Sequence, residues 1–134
     1  RIAAFAKSEF DVPIALISLV DHDRQWFKSN FGLGACETAR DISFCGHAVT
    51  MSETLVVQDA LKDPRFSDNP MVIGEPYVRS YAGALLRLPY GQVVGTLCIM
   101  DRRPRLFDKL DLVILEGLRN LVVEEMFRRE EAQQ

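Results

Sequence analysis

The fold is decided by residues 10–21, which read FDVPIALISLVD. Pro13 prevents an upstream helix from continuing into this stretch, and residues 14–20 are mostly aliphatic on both alternating faces. Such a pattern is typical of a central β-strand that is covered on both sides. Residues 21–23 supply polar turn chemistry, and Gln25 to Phe31 continues as a second strand. The sequence therefore predicts a β-hairpin here.

Around this hairpin the chain alternates between helical and extended patterns. Residues 1–10 carry apolar side chains at helical spacing and predict a helix, whereas residues 32–42 predict a loop. Ser43 is a suitable cap for a short helix from Phe44 to Met51, and Leu55 to Val57 reads as a short strand.

The segment from Asp59 to Pro76 is polar and interrupted by prolines. It predicts a long loop that contains one helical turn. Loops of this length in a compact domain are often binding loops or lids. We therefore expect this segment to contribute to a functional site.

The C-terminal half predicts a second hairpin followed by a long helix. Tyr81 to Leu88 and Gln92 to Met100 are its strands, and Gly91 supplies the positive φ that a tight connection needs. Asp108 is a suitable cap for a helix from about Lys109 to Arg129. Strands enclosed between two terminal helices predict an α+β fold.

Length and composition limit the class of protein. A chain of 134 residues with 48% hydrophobic and 26% charged residues predicts one globular domain, residues 1–134. The net charge of −3 argues against a nucleic-acid partner, and no apolar run reaches the roughly 18 residues that a membrane span needs. Three cysteines indicate a reducing, cytoplasmic setting rather than a disulfide scaffold. Because the chain begins without Met, we expect it to be excised from a longer protein.

Five blocks of the sequence form an ordered set of motifs: residues 10–28, ISFCGHA at 42–48, DALKDPRF at 59–66, YAGA at 81–84 and GTLCIMD at 95–101. Together they resemble a known family, the bacterial GAF domains. The resemblance covers nearly the whole chain, so it is a specific signal.

The resemblance implies a central antiparallel sheet of five or six strands. Terminal helices would cover one face, while loops and a short helix would enclose a small-molecule pocket on the other. It also implies a sensory domain that is covalently linked to an output module, such as a histidine kinase or a diguanylate cyclase. Fold membership does not identify the ligand or any cofactor. The motif of the cyclic-nucleotide-binding members is absent, and Ser80 replaces an aromatic residue that is frequent in relatives, so we expect a reshaped pocket wall.

The expected ligand-binding residues come from three segments: the short helix, the long loop and the strand at position 81. Aromatic residues there either line the pocket or belong to the core. The polar loop residues either bind a charged ligand or brace the loop, with Asp63 forming a turn before Pro64. The set is Phe44, Cys45, His47, Asp59, Arg65, Phe66, Asn69 and Tyr81.

Covalent or redox chemistry is the alternative to ligand binding. Cys45 and His47 lie two residues apart, so on a helix their side chains diverge and do not grip one atom together. Cys98 lies within a strand, and Cys36 lies in a loop beside Glu37. Neither thiol has a basic neighbour that would lower its pKa. We therefore predict no catalytic residue and no metal site. Two alternatives to the sensory function remain, a cysteine-dependent methionine-sulfoxide reductase on the same fold and a dimerisation module without a ligand.

The C-terminal helix predicts self-association. Its apolar residues cover more than the stripe of about 100° that docking on one sheet requires. The extra face is buried either against the same helix of a second copy, with Ile2 and Phe5 of the N-terminal helix contributing, or against the N-terminal helix of the same chain. We predict a homodimer through the terminal helices.

Overall fold

The computed structural model describes residues 2–20, 24–32, 37–39, 44, 48–50, 53–89 and 91–132. Three α-helices and six strands are defined within them, together with a 3₁₀ turn at Ala60–Lys62. The helices are α1 (Ile2–Phe10), α2 (Pro70–Ile73) and α3 (Lys109–Ala132). The strands are β1 (Ile14–Val20), β2 (Arg24–Phe31), β3 (Glu37–Ala39), β4 (Leu55–Val57), β5 (Ser80–Arg87) and β6 (Val93–Asp101).

The strands form a single antiparallel sheet in the order β3-β2-β1-β6-β5-β4. Four long strands occupy the centre, and the three-residue strands β3 and β4 form the edges. In β1, residues 14–17 are all buried, because β2 and β6 flank the strand and both of its faces are covered. The predicted α+β fold with an antiparallel sheet and helices is confirmed.

Each face of the sheet carries its own hydrophobic core, because successive side chains of a strand point to opposite faces. On one face Ile14, Leu16 and Tyr81 pack with residues of the loops, and we call this cluster the loop-side core. On the other face Ala15, Ile17 and Ala82 pack with α1 and α3, forming the helix-side core. A layer of loops and a layer of helices thus enclose the sheet.

Both hairpin and cap predictions in the C-terminal half are confirmed. Gly91 has a φ of +91°, and its N–H donates to the carbonyl oxygen of Leu88 at 2.8 Å. At the start of α3, the Asp111 N–H donates to Asp108 Oδ1 at 2.8 Å, and the Asp108 N–H donates to Asp111 Oδ2 at 3.1 Å. This reciprocal pair satisfies two of the unpaired donors at the helix N-terminus.

Three boundaries differ from the sequence prediction. Strand β3 lies inside the segment 32–42 that was expected to be a loop, and pairing with β2 stabilises it despite its short length. The loop 59–76 contains a 3₁₀ turn and the short helix α2, two helical elements rather than one turn. Helix α3 continues to Ala132. The tip of the first hairpin, residues 21–23, and four of the eight residues of the predicted helix 44–51 lie outside the described residues.

None of the helices within the described ranges has the continuous apolar length that a bilayer crossing requires.

Candidate functional site

Three aromatic residues from the predicted site meet on the loop side of the sheet. The rings of Phe44 and Phe66 stack with centroids 4.5 Å apart, and Phe44 stacks on Tyr81 at 5.1 Å. Each of the three side chains is at most 1% exposed. The segment around residue 44, the long loop and β5 are therefore joined by one stack of rings, which belongs to the loop-side core.

The polar residues of the long loop hold its backbone in shape. Asp59 caps the 3₁₀ turn by accepting from the Leu61 N–H at 3.2 Å, and Asn69 caps α2 by accepting from the Met71 N–H at 2.9 Å. These side chains satisfy backbone donors that the short helical elements leave unpaired. The bracing role is thus present in the structure for both residues.

Arg65 and Asp63 form a two-point ion pair in the same loop. Arg65 Nε donates to Asp63 Oδ1 at 3.0 Å, and Nη2 donates to Oδ2 at 2.7 Å. The Arg65 N–H also donates to Asp63 Oδ1 at 3.0 Å, which completes the turn expected before Pro64. Hydrogen bonding to this carboxylate raises the pKa of Arg65 above its usual value. The guanidinium carbon lies 5.3 Å from the centre of the Phe66 ring, so Arg65 lies over the ring at one end of the aromatic stack.

A buried pair of hydroxyl side chains lies on the loop-side face of the sheet. The hydroxyl oxygens of Ser18 in β1 and Thr96 in β6 lie 3.0 Å apart, and both residues are fully buried. They share a face of the sheet with Leu16 and Cys98, since the side chains of a strand alternate. Cys98 is fully buried in this core, which is the environment of a structural thiol rather than a reactive one.

Some predicted residues lie elsewhere or outside the described part. Cys45 and His47, as well as Cys36, fall outside the described residues, although Phe44 and Ala48 on either side of the pair are buried in the loop-side core. The expectation that Ser80 reshapes a pocket wall is wrong. Its hydroxyl donates to the Arg103 carbonyl oxygen at 2.8 Å, and alternation along β5 places it on the face opposite Tyr81.

Sequence reasoning missed the contacts that join the loop side to the terminal helices. Thr54 Oγ1 donates to Glu116 Oε2 at 2.6 Å, and Arg119 Nη1 donates to the Leu85 carbonyl oxygen at 3.0 Å. The first pair is separated by 62 residues in the sequence, so no local pattern could have indicated it. Within the described ranges, no group of three or more His, Cys, Asp or Glu side chains is arranged to hold a metal ion.

Comparison with solved structures places the architecture among GAF folds. A GAF domain of an Acinetobacter phosphoenolpyruvate-protein phosphotransferase superposes with a TM-score of 0.77 and 17% identity, covering 98% of this chain and 81% of that one. The free methionine-R-sulfoxide reductase of Neisseria meningitidis, solved with its substrate, gives a TM-score of 0.79 and 22% identity, with coverages of 97% and 76%. At these identities the likeness concerns the fold alone.

Sequence comparison gives a nearer relative. A cyclic di-GMP phosphodiesterase of Pseudomonas aeruginosa is 47% identical over 124 residues, which are 92% of this chain. The chain spans only 21% of the length of that protein. The sequence profile of the GAF domain matches residues 1–125. This profile covers most of the chain and agrees with the observed fold, so the chain belongs to the GAF domain family.

Proposed function

We propose that this GAF domain is a cytoplasmic sensory module that binds a small molecule on the loop side of its sheet and reports its occupancy to a linked output domain. The observation that carries the proposal is the separation of the two faces. The loop side gathers aromatic and polar side chains from distant segments, while the helix side gathers α1 and α3. A ligand that favours one arrangement of the loop side shifts the population of states of the whole domain.

The binding residues in this proposal are Phe44, Cys45, His47, Asp59, Arg65, Phe66, Asn69 and Tyr81. Phe44, Phe66 and Tyr81 form one aromatic stack, and Arg65, paired with Asp63, lies over the Phe66 ring. The Arg65 side chain is 44% exposed, so it remains within reach of an acidic group of a ligand. In this proposal the exposed part of Arg65 binds an acidic group of the ligand.

The output proposed here acts on cyclic di-GMP. The Pseudomonas relative carries a matching segment in about a fifth of its length, so its catalytic activity belongs to a protein with ample room for other domains. In this proposal the GAF domain itself is not catalytic, and a kinase or cyclase output is a less direct fit to the nearer relative.

The reductase alternative is less well supported. Structures of free methionine-R-sulfoxide reductases share the fold, at 22% and 16% identity. Cys98 is fully buried within the sheet, where substrate and reductant have no access. Methionine sulfoxide turnover with stoichiometric thiol consumption would establish the alternative, and we expect none.

The structure supports a homodimer through the terminal helices. On α3, the exposed residues Leu110, Val113 and Leu121 lie with Gly117 in a stripe about 80° wide, which we call the α3 seam. At 100° per residue the seam is centred about 150° from Leu115 and Val122, which pack into the helix-side core.

An open groove of about 640 Å³ runs beside the α3 seam, between Ile2 and Phe5 of α1 and Leu118 and Leu121 of α3. Such an exposed apolar strip suits a second copy of the same helix.

The experiment that tests ligand binding is native mass spectrometry of freshly purified protein. A retained small molecule appears as a non-covalent mass difference that disappears on denaturation.

A further inference from the structure

Two polar contacts attach α3 to the edge of the sheet, beside the residues of α3 that pack into the helix-side core. Thr54 Oγ1 donates to Glu116 Oε2 at 2.6 Å, and Arg119 Nη1 donates to the Leu85 carbonyl oxygen at 3.0 Å. Glu116 and Arg119 lie three residues apart, hence on neighbouring positions of one side of the helix. We call these four residues the edge clasp. They line a common cleft of about 480 Å³ together with Glu53, Arg87 and Leu112.

The register between β4 and β5 explains why the side chain of Arg119 contacts the carbonyl oxygen of Leu85. In the described ladder, β4 begins with Leu55 opposite Gly83. Leu85 lies two residues farther along β5, beyond the end of β4, so its carbonyl oxygen has no β4 residue opposite it. Arg119 donates to that oxygen instead. The end of β4 and the position of α3 are therefore linked through one stretch of β5.

At its other end, the edge clasp is connected to the loop-side core through Thr54 and β4. Thr54 directly precedes β4, whose residues Leu55 and Val57 are each 1% exposed and belong to the same core as Phe44, Phe66 and Tyr81. Since close-packed cores transmit displacement rather than absorb it, a rearrangement of the aromatic stack displaces β4. Thr54 then either carries Glu116 with it or breaks the contact.

We propose that the edge clasp is the mechanical link by which the loop side of the sheet controls the position of α3, the helix-side element that would report occupancy. This inference rests on the proposed sensory function, but it concerns the coupling inside the domain and not the ligand. Contiguous networks of packed side chains and hydrogen bonds can carry coupling of this kind. The covalent path from Leu55 to Thr54 and the hydrogen bond to Glu116 form such a connection between the two sites.

The test uses hydrogen exchange of the 134-residue chain without any ligand, so its result is independent of whether a ligand is found. Phe66→Leu perturbs the aromatic stack and serves as the input. Exchange of amides 112–125 of α3 serves as the readout, expressed relative to the amides of residues 15–17 in β1, which report global unfolding. The same input is applied to wild type, to Thr54→Val, which keeps the shape but removes the donor, and to Thr54→Ser, which keeps the hydroxyl.

We expect Phe66→Leu to raise the relative exchange of α3 by at least about threefold in wild type and in Thr54→Ser. In Thr54→Val the same input should change it by less than about 1.3-fold, because the link has been removed. Arg119→Met, which keeps the aliphatic stem but no donor, should reduce the response as well, whereas Glu124→Gln on the exposed face of α3 should not.

An equal response of α3 to Phe66→Leu in the wild-type and Thr54→Val backgrounds would overturn the proposal. No response of α3 in any background would overturn it too. If the clasp responds as expected but no ligand is found by mass spectrometry, the sensory function fails while the mechanical link stands.

Discussion

The side chain of Tyr81 lies across the backbone of Gly83. A Cβ atom added at Gly83 would be 2.2 Å from the Tyr81 hydroxyl oxygen and 2.7 Å from two atoms of its ring. Residues two apart in a strand share a face, so any side chain at position 83 competes with the ring for the same space. The absence of a side chain at Gly83 lets Tyr81 lie on the sheet and stack on Phe44.

Gly83→Ala should therefore destabilise the domain by about 1–3 kcal/mol, the usual cost of overpacking a core. The matched control is Gly117→Ala in α3, where an added Cβ meets nothing within 4 Å. Replacing an exposed helical glycine with alanine should raise the free energy of unfolding by about 1 kcal/mol. Urea unfolding at low protein concentration measures both changes. Shifts of the same sign would contradict this account of Gly83.

Removing either partner of the Asp63–Arg65 pair should destabilise the domain, and removing Asp63 should destabilise it more. Asp63→Ala removes the acceptor for the Arg65 N–H as well as the ion pair and should cost about 1–2 kcal/mol. Arg65→Ala removes a partly exposed ion pair and the contact of the guanidinium with the Phe66 ring, and it should lower the free energy of unfolding by less than about 1 kcal/mol. Chemical denaturation measures the free energy of unfolding of both variants. A larger decrease for Arg65→Ala than for Asp63→Ala would show that the arginine is the main structural brace.

The cap of α3 should contribute measurably to stability. Asp108→Ala removes the acceptor of the Asp111 N–H and should reduce the free energy of unfolding by about 1 kcal/mol. Asp108→Ser keeps a capping oxygen and should recover most of the loss. Thermal and urea unfolding provide the comparison. A serine variant as unstable as the alanine variant would argue against a capping role.

The α3 seam should control self-association. Leu121→Glu places a charge on the exposed seam, where Leu121 is 52% exposed, and should shift the protein to monomer with little effect on folding. Leu106→Glu, at a residue that is 76% exposed and precedes α3, is the control and should leave the dimer intact. Analytical ultracentrifugation distinguishes them. A monomeric wild type at high concentration would contradict the proposed dimer.

Much of the fold could be predicted because it is encoded locally. The two-faced pattern of residues 14–17, the turn at Gly91 and the cap at Asp108 each depend on a few neighbouring residues, and each prediction is confirmed. Strand β3 was missed because three residues carry too little periodicity, and its stability comes from pairing with β2. The two apolar faces of α3 could not be told apart from composition alone. Only packing shows that Val122 is buried whereas Leu121 is exposed.

The candidate site was less accessible to sequence reasoning. Sequence reasoning left pocket and core open for the aromatic residues, and the structure places all three in the loop-side core. Their segments lie 15 to 37 positions apart, and only the fold brings Phe44, Phe66 and Tyr81 into one stack. Ser80 was misassigned because its face depends on the register of β5. The edge clasp had no signal at all, since neither Thr54 nor Glu116 stands in a distinctive motif.

Native mass spectrometry of three freshly purified proteins tests the central claim, that the loop side binds a small molecule, most directly. The proteins are wild type, Phe66→Leu on the loop side and Gly117→Ala on α3. We predict a non-covalent small-molecule adduct on wild type and on Gly117→Ala, released by denaturation and much reduced on folded Phe66→Leu. A bare chain in all three preparations, or an adduct equally abundant on Phe66→Leu, would contradict the claim.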